Sequence, residues 1–333
     1  MKGKQKDAII EEAGKVLKIV SDYWSEPSLD NIEQWLDQFD EDVRLKLISE
    51  MRHILSKSYL SKKDVQTFLK GLISAPKLVG ANAASFWRKA NFFSSQKGGD
   101  SQGELLELFD GILEQECGSG LAKCASDDGP VIYIDDILLS GNRLVNDLRD
   151  WIPEEAPKDC TLHAIFVGVH SGGAYYADKS LREMAGKAGK KIVPNLWRVL
   201  SLENFSNSGA AADVYRLRKL PDDEETSRYI HEHVKGDPAL MRPEKESNKS
   251  KFFSSEENRH LLEQVFWSAG LRIRDMAPDL KETHRPLGYT SINSNNRLGF
   301  GSLVLTYRNC PNNCPLAYWV GDPWHPLFPR KTN

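Results

Sequence analysis

The sequence predicts an α/β protein built on a parallel sheet, and three observations predict it. Apolar runs at residues 131–134 and 161–170 read as hydrophobic strands, and residues 192–200 supply one more strand. Stretches with helical spacing, 142–151 and 174–188, separate them. The connections are short, so the order strand, helix, strand, helix, strand closes as parallel neighbours. Around this core, at 79–220, the chain divides into an N-terminal helical region at 1–78, a charged linker or insertion at 221–252, and a C-terminal helix–strand segment at 253–333.

Residues 5–75 read as helices. Ile9, Ile10, Ala13, Val16, Leu17 and Val20 recur at helical spacing, and Ser28-Leu-Asp-Asn31 opens a second stripe of Ile32, Trp35, Leu36 and Phe39. Ser61-Lys-Lys-Asp64 has the form of a capping box before Val65, Phe68 and Leu69. Nothing here carries catalytic chemistry, and the functional expectation is a docking surface for a partner protein. Residues 84–93 read as a strand. The small polar run 94–103 follows, and then a helical stripe of Leu105, Leu106, Phe109, Ile112 and Leu113. Lys97, Gly98 and Gly99 lie in that polar run, between strand and helix, where backbone N–H groups and a cation can wrap a pyrophosphate. A flexible surface loop fits the same residues equally well.

Residues 131–144 read Val-Ile-Tyr-Ile-Asp-Asp-Ile-Leu-Leu-Ser-Gly-Asn-Arg-Leu. A buried parallel strand delivers its last side chains to the carboxyl edge of the sheet, where open α/β folds bind ligands. Asp135 and Asp136 stand at that end, able to hold sugar hydroxyls or a divalent cation. Leu139, Ser140, Gly141, Asn142 and Arg143 form the turn into the next helix, and Gly141 lets backbone N–H groups approach an anion. This order of residues describes a pocket for a phosphorylated sugar. Tyr133-Ile-Asp-Asp136 also fits the Tyr-x-Asp-Asp signature of reverse transcriptases, but that signature needs a hairpin directly after the acids, and Ser-Gly followed by a helical pattern stands there instead.

The stretch resembles the phosphoribosyl pyrophosphate (PRPP) motif of type I phosphoribosyltransferases: a strand, two acids, two to three residues, then hydroxyl residues around a glycine. Asp135, Asp136, Ser140 and Gly141 match, while Leu139 and Arg143 stand where hydroxyl residues are usual. Residues 298–319, with Pro311-Asn-Asn-Cys-Pro315, resemble the ending of the branch of this superfamily found in bacterial conflict and anti-phage systems (PRTase-CE-like). The resemblance covers roughly residues 80–330. It implies that Asp135 and Asp136 contact ribose hydroxyls, that Mg²⁺ joins them through the substrate, and that the 139–143 loop wraps the 5′-phosphate. It also implies a hood over the base, with Asn312 and Asn313 as candidates, and PRPP or a related nucleotide as ligand. An effector role, or a catalytically inactive sensing or partner-binding module of a defence complex, follows from the same resemblance.

The next strand places His170, with Ser171 and Gly172, at the same edge as Asp135, which makes His170 the nearest candidate acid/base. Residues 203–250 are charged and poor in apolar residues, and read as exposed linker. His231-x-His233 has strand-face spacing for two metal ligands, without a second pair to complete a site. Ser255-Glu-Glu-Asn258 starts a helix lined by Leu261, Leu262, Val265, Phe266 and Ala269, and a strand is expected at 301–307. Cys310 and Cys314 are too poorly spaced for a zinc knuckle and read as turn cysteines.

Five scattered cysteines suit a reduced chain rather than a disulfide framework. A net charge of −3 gives no support to a broad nucleic-acid or anionic-membrane surface. With no leader-like start and no apolar run of membrane length, a soluble cytoplasmic protein is expected.

Overall fold

The computed structural model describes residues 3–94, 100–205, 212–234, 241–242, 250–277, 279–290 and 297–331. In chain order the helices are α1 (Gly3–Ile19), α2 (Leu29–Asp37), α3 (Arg44–Ser58), α4 (Lys62–Ile73), α5 (Pro76–Val79), α6 (Ala83–Lys89), α7 (Ser101–Cys117), α8 (Asn142–Asp147), α9 (Trp151–Glu154), α10 (Ser171–Lys187), α11 (Glu224–His233), α12 (Glu256–Met276) and α13 (Leu316–Trp319). The strands are β1 (Tyr59–Leu60), β2 (Asn91–Phe92), β3 (Val131–Leu138), β4 (Asp159–His170), β5 (Lys191–Leu202), β6 (His284–Arg285), β7 (Gly288–Tyr289) and β8 (Leu305–Thr306). Two compact units result. One joins Met1–Ser61 to Glu203–Thr332, and the other is Lys62–Leu202. The chain thus passes between units at 61/62 and 202/203, where the sequence suggested boundaries near 78 and 220.

The second unit is the α/β core. Its sheet has the order β2-β3-β4-β5 and every pairing is parallel. Val131, Tyr133, Leu162, Ala164, Phe166 and Val169 from the strands pack with Leu144, Val145 and Leu148 of the α8 segment and with Ala177, Leu181 and Ala185 of α10. Each such aliphatic side chain contributes about 1.5–3 kcal/mol on full burial, which is what fixes the helices against the sheet. Trp87, Phe92 and Phe109 tie α6, β2 and α7 together, with the Trp87 and Phe109 rings 5.2 Å apart.

Several expectations are corrected. Residues 84–93 are mostly helix: Asn82 caps α6 by accepting from the Ser85 N–H at 2.9 Å, and only Asn91–Phe92 extend along β3. The Trp87 indole, donating to the Ile73 carbonyl at 2.8 Å, anchors that helix in the core. The pattern at 142–151 breaks into α8 and α9. The strand expected at 301–307 narrows to Leu305–Thr306, paired in parallel with Tyr59–Leu60.

The described part of 203–250 is folded rather than exposed linker. Asp223 caps α11 through the Thr226 N–H at 2.6 Å, and Tyr215, Arg216, Leu217 and Arg242 are buried. Arg242 and Arg259 hold Glu263 between them at 2.9 and 3.0 Å, with all three side chains out of solvent. Charge-rich composition hid a buried network. Among the described residues no helix is long and apolar enough to cross a membrane.

Candidate functional site

Strand β3 runs straight through the two acids to Leu138, and it pairs with β4 in register on both sides of them, Asp135 with Phe166 and Ile137 with Gly168. It has only parallel neighbours, so the hairpin that a polymerase signature requires is absent and that alternative falls. The strand extends further than its apolar run because Ile137 and Leu138 keep pairing beyond the acids.

Asp135 is 2% exposed. Its Oδ1 accepts from the Ser101 hydroxyl at 2.6 Å and from the Asp136 N–H at 2.9 Å. Arg143 Nη1 stands 3.6 Å from Oδ2 and donates to Ser101 Oγ at 3.1 Å. Ser101 is the first residue of α7, so Asp135 ties the start of α7 to the turn that opens α8. Asp136 is half-buried, and its Oδ1 accepts from the Ile137 N–H at 2.7 Å. Of the two acids, Asp136 is the more exposed.

Beyond the strand, Gly141 adopts a left-handed backbone (φ +78°), which L side chains rarely tolerate. A Cβ there would lie 2.5 Å from the Gly173 carbonyl oxygen, and one on Gly173 would lie 2.0 Å from the Leu139 oxygen. The two glycines let the Leu139–Gly141 turn press against the first turn of α10. Ser140 Oγ accepts from the Asn142 N–H at 3.3 Å, which folds the turn back on itself. The Tyr133 hydroxyl donates to Asp147 at 2.8 Å and fixes α8 to the strand that carries the acids. Burial, followed by the carboxylates of Asp135 and Asp147, pushes that phenol above its ordinary range, so it stays a neutral donor.

The other candidates fall out differently. His170 ends β4 with no exposed surface. Lys97, Gly98 and Gly99 lie outside the described residues. Asn313 is 6% exposed and its carbonyl accepts from the Ser302 N–H at 2.7 Å. Asn312 is half-buried beside His284, its Nδ2 3.4 Å from the ring Nε2. His231 and His233 sit on α11, where a two-residue step turns side chains to different sides, so the strand-face pair does not form.

Cys310 and Cys314 are buried on either side of the turn closed by the Cys314 N–H on the Pro311 carbonyl at 3.0 Å. Among the described residues no group of three or more His, Cys, Asp or Glu can hold a metal ion.

Sequence reasoning missed Ser101, Asp147 and Gly173. Ser101 belonged to a polar run read as loop, and no local pattern pairs it with an acid 34 residues on. A serine at the mouth of an apolar helical stripe was the available signal.

No curated protein and no solved structure matches the chain. The PRTase-CE family model matches residues 32–330, which takes in both units and the whole Asp135–Arg143 segment. The chain belongs to the PRTase-CE family and is a phosphoribosyltransferase-like protein.

Proposed function

We propose that the protein binds PRPP, or a related phosphoribosyl nucleotide, at the carboxyl edge of its parallel sheet and acts at the anomeric carbon. One observation carries this reading: a tight left-handed glycine turn, Ser140-Gly141-Asn142, begins four residues past a half-buried carboxylate near the end of a parallel strand. In this reading Asp136 accepts from the ribose hydroxyls and the 139–143 loop surrounds the 5′-phosphate. Asp135 anchors the site and does not touch the sugar. Departure of pyrophosphate from the anomeric carbon leaves a cation-like sugar, so the protein's tasks are orientation and charge placement rather than a strong nucleophile. Mg²⁺ would come with the pyrophosphate and neutralise the leaving group, with Asp136 the residue nearest to its sugar-bound side. The family resemblance extends the proposal to an effector of a bacterial anti-phage system.

The test uses Asp136→Asn, which keeps shape and removes charge. PRPP with Mg²⁺ is expected to raise the melting temperature of the wild type and to leave the variant unmoved, because stabilisation follows ligand occupancy. Equal protection of both proteins would reject the assignment.

A second reading, a nucleotide-sensing or partner-binding module without chemistry, is favoured by the arginine at 143 and by the leucine at 139, where hydroxyl residues are usual. Product analysis after prolonged incubation separates the two: binding with no released pyrophosphate supports the sensor, and released pyrophosphate supports the enzyme.

A further inference from the structure

We propose that Arg143 reads the phosphate of the ligand and that Asp135 holds it back until the ligand arrives. The inference rests on the phosphoribosyl-binding reading and names the residue that sets its selectivity.

Asp135 spends Oδ1 on Ser101 and on the Asp136 N–H, and its Oδ2 faces Arg143 Nη1 at 3.6 Å. A well-made guanidinium–carboxylate pair is bidentate, with contacts of about 2.7–2.9 Å. This one is single and long. The Arg143 side chain is 51% exposed, so water screens the attraction. Among the described residues only Nη1 is engaged, by Ser101 and Asp135; Nε and Nη2 have no partner there. The arginine is poised, paired weakly on one side and with two donor nitrogens to spare.

A phosphate entering the Ser140–Arg143 turn offers more than Asp135 does. It carries up to two charges and oxygens spaced for a two-pronged contact with the guanidinium fork. Serine or threonine at this position would give one neutral hydrogen bond. Arginine gives a charge-assisted pair, which discriminates a phosphorylated ligand from its uncharged nucleoside more sharply. Asp135 opposes the transfer, because the guanidinium must leave its carboxylate first, and the apparent affinity falls by the fraction of arginines still held.

Calorimetric titration of the full chain with PRPP tests both halves. Arg143→Thr is expected to weaken binding by about ten-fold or more, with Arg143→Lys between it and the wild type. Asp135→Asn keeps the side chain's shape and its acceptor for Ser101 but removes the charge, so it is expected to tighten binding a few-fold. Both effects shrink as salt rises. Arg143→Thr is a substitution at a half-exposed position and decides the matter even where Asp135→Asn fails to fold.

Binding by Arg143→Thr equal to the wild type overturns the inference and leaves the phosphoribosyl reading standing. Weaker binding by a folded Asp135→Asn overturns the restraint, because the acid then contacts the ligand itself. If the wild type binds no PRPP, the phosphoribosyl reading fails. Titration with inorganic phosphate then decides for Arg143 alone: binding by the wild type and not by Arg143→Thr supports it, and any other result overturns it.

Discussion

In the unit built from the two chain ends, Arg242 and Arg259 grip Glu263 at 2.9 and 3.0 Å with no side-chain surface exposed. In the sheet unit, Arg143 stands 3.6 Å from Asp135 with half its side chain in solvent. The chemistry of the partners is the same, and distance and water separate the two. Glu263 also accepts the Arg216 N–H at 3.1 Å, so every member of that network is committed to the fold. At the sheet edge the carboxylate is committed and the arginine is not. The structural pair is closed on both sides, whereas the Asp135–Arg143 pair is left open on one.

The sharpest way to break the comparison is to remove one member of each pair. Glu263→Ala removes the buried carboxylate that both guanidinium groups share, leaving them Glu256 as their acidic partner, and is expected to cost about 3–5 kcal/mol in denaturant unfolding. Arg143→Thr, at the exposed pair, is expected to move stability by less than about 1 kcal/mol. Equal costs would show that the two pairs do the same work.

Acid gives the next largest effect, and it acts in both units. Burial lowers His163 to about 4, and its Nδ1 accepts from the Trp197 indole at 3.0 Å, which fixes the neutral ring. His284 is also lowered to about 4, by burial first and then by Arg330, Lys281 and Arg274. Because the folded values lie below the ordinary 6.5, the unfolded chain takes up protons first as pH falls. The stability contributed by each neutral ring is complete above about pH 6.5 and is lost toward pH 4, by up to about 3 kcal/mol each. Melting temperatures measured from pH 7 to 4.5 should drop in this window, and His163→Gln should flatten the drop. A curve with no slope there would contradict the assignment.

Gly141→Ala is expected to cost about 1–3 kcal/mol, since it adds a clash with Gly173 to a left-handed backbone. Gly118, with φ +67° and open space around it, isolates the backbone part, and Gly118→Ala should cost less. If the two costs match, the turn is not pressed against α10 as described.

The sheet was legible because β3 and β4 are nearly continuous apolar runs, and because β5 follows them at a short connection after a helical stretch. The acids and the Ser140-Gly141 turn were legible because they follow a strand at fixed spacing. What escaped depended on distant partners. Residues 84–93 are aromatic enough to read as strand, but the Asn82 cap and the buried Trp87 decide for helix. Residues 203–250 look solvated until Arg242 meets Glu263, 21 residues on. The sequence placed Asp135 and His170 at one sheet edge, and only the structure shows how deeply each is buried.

Amide hydrogen exchange with and without PRPP and Mg²⁺ tests the location of the site most directly. The account predicts slowed exchange at Asn142, Arg143 and the neighbouring amides of the 139–143 turn, abolished in Asp136→Asn. Slowed exchange elsewhere with none in this turn would contradict it.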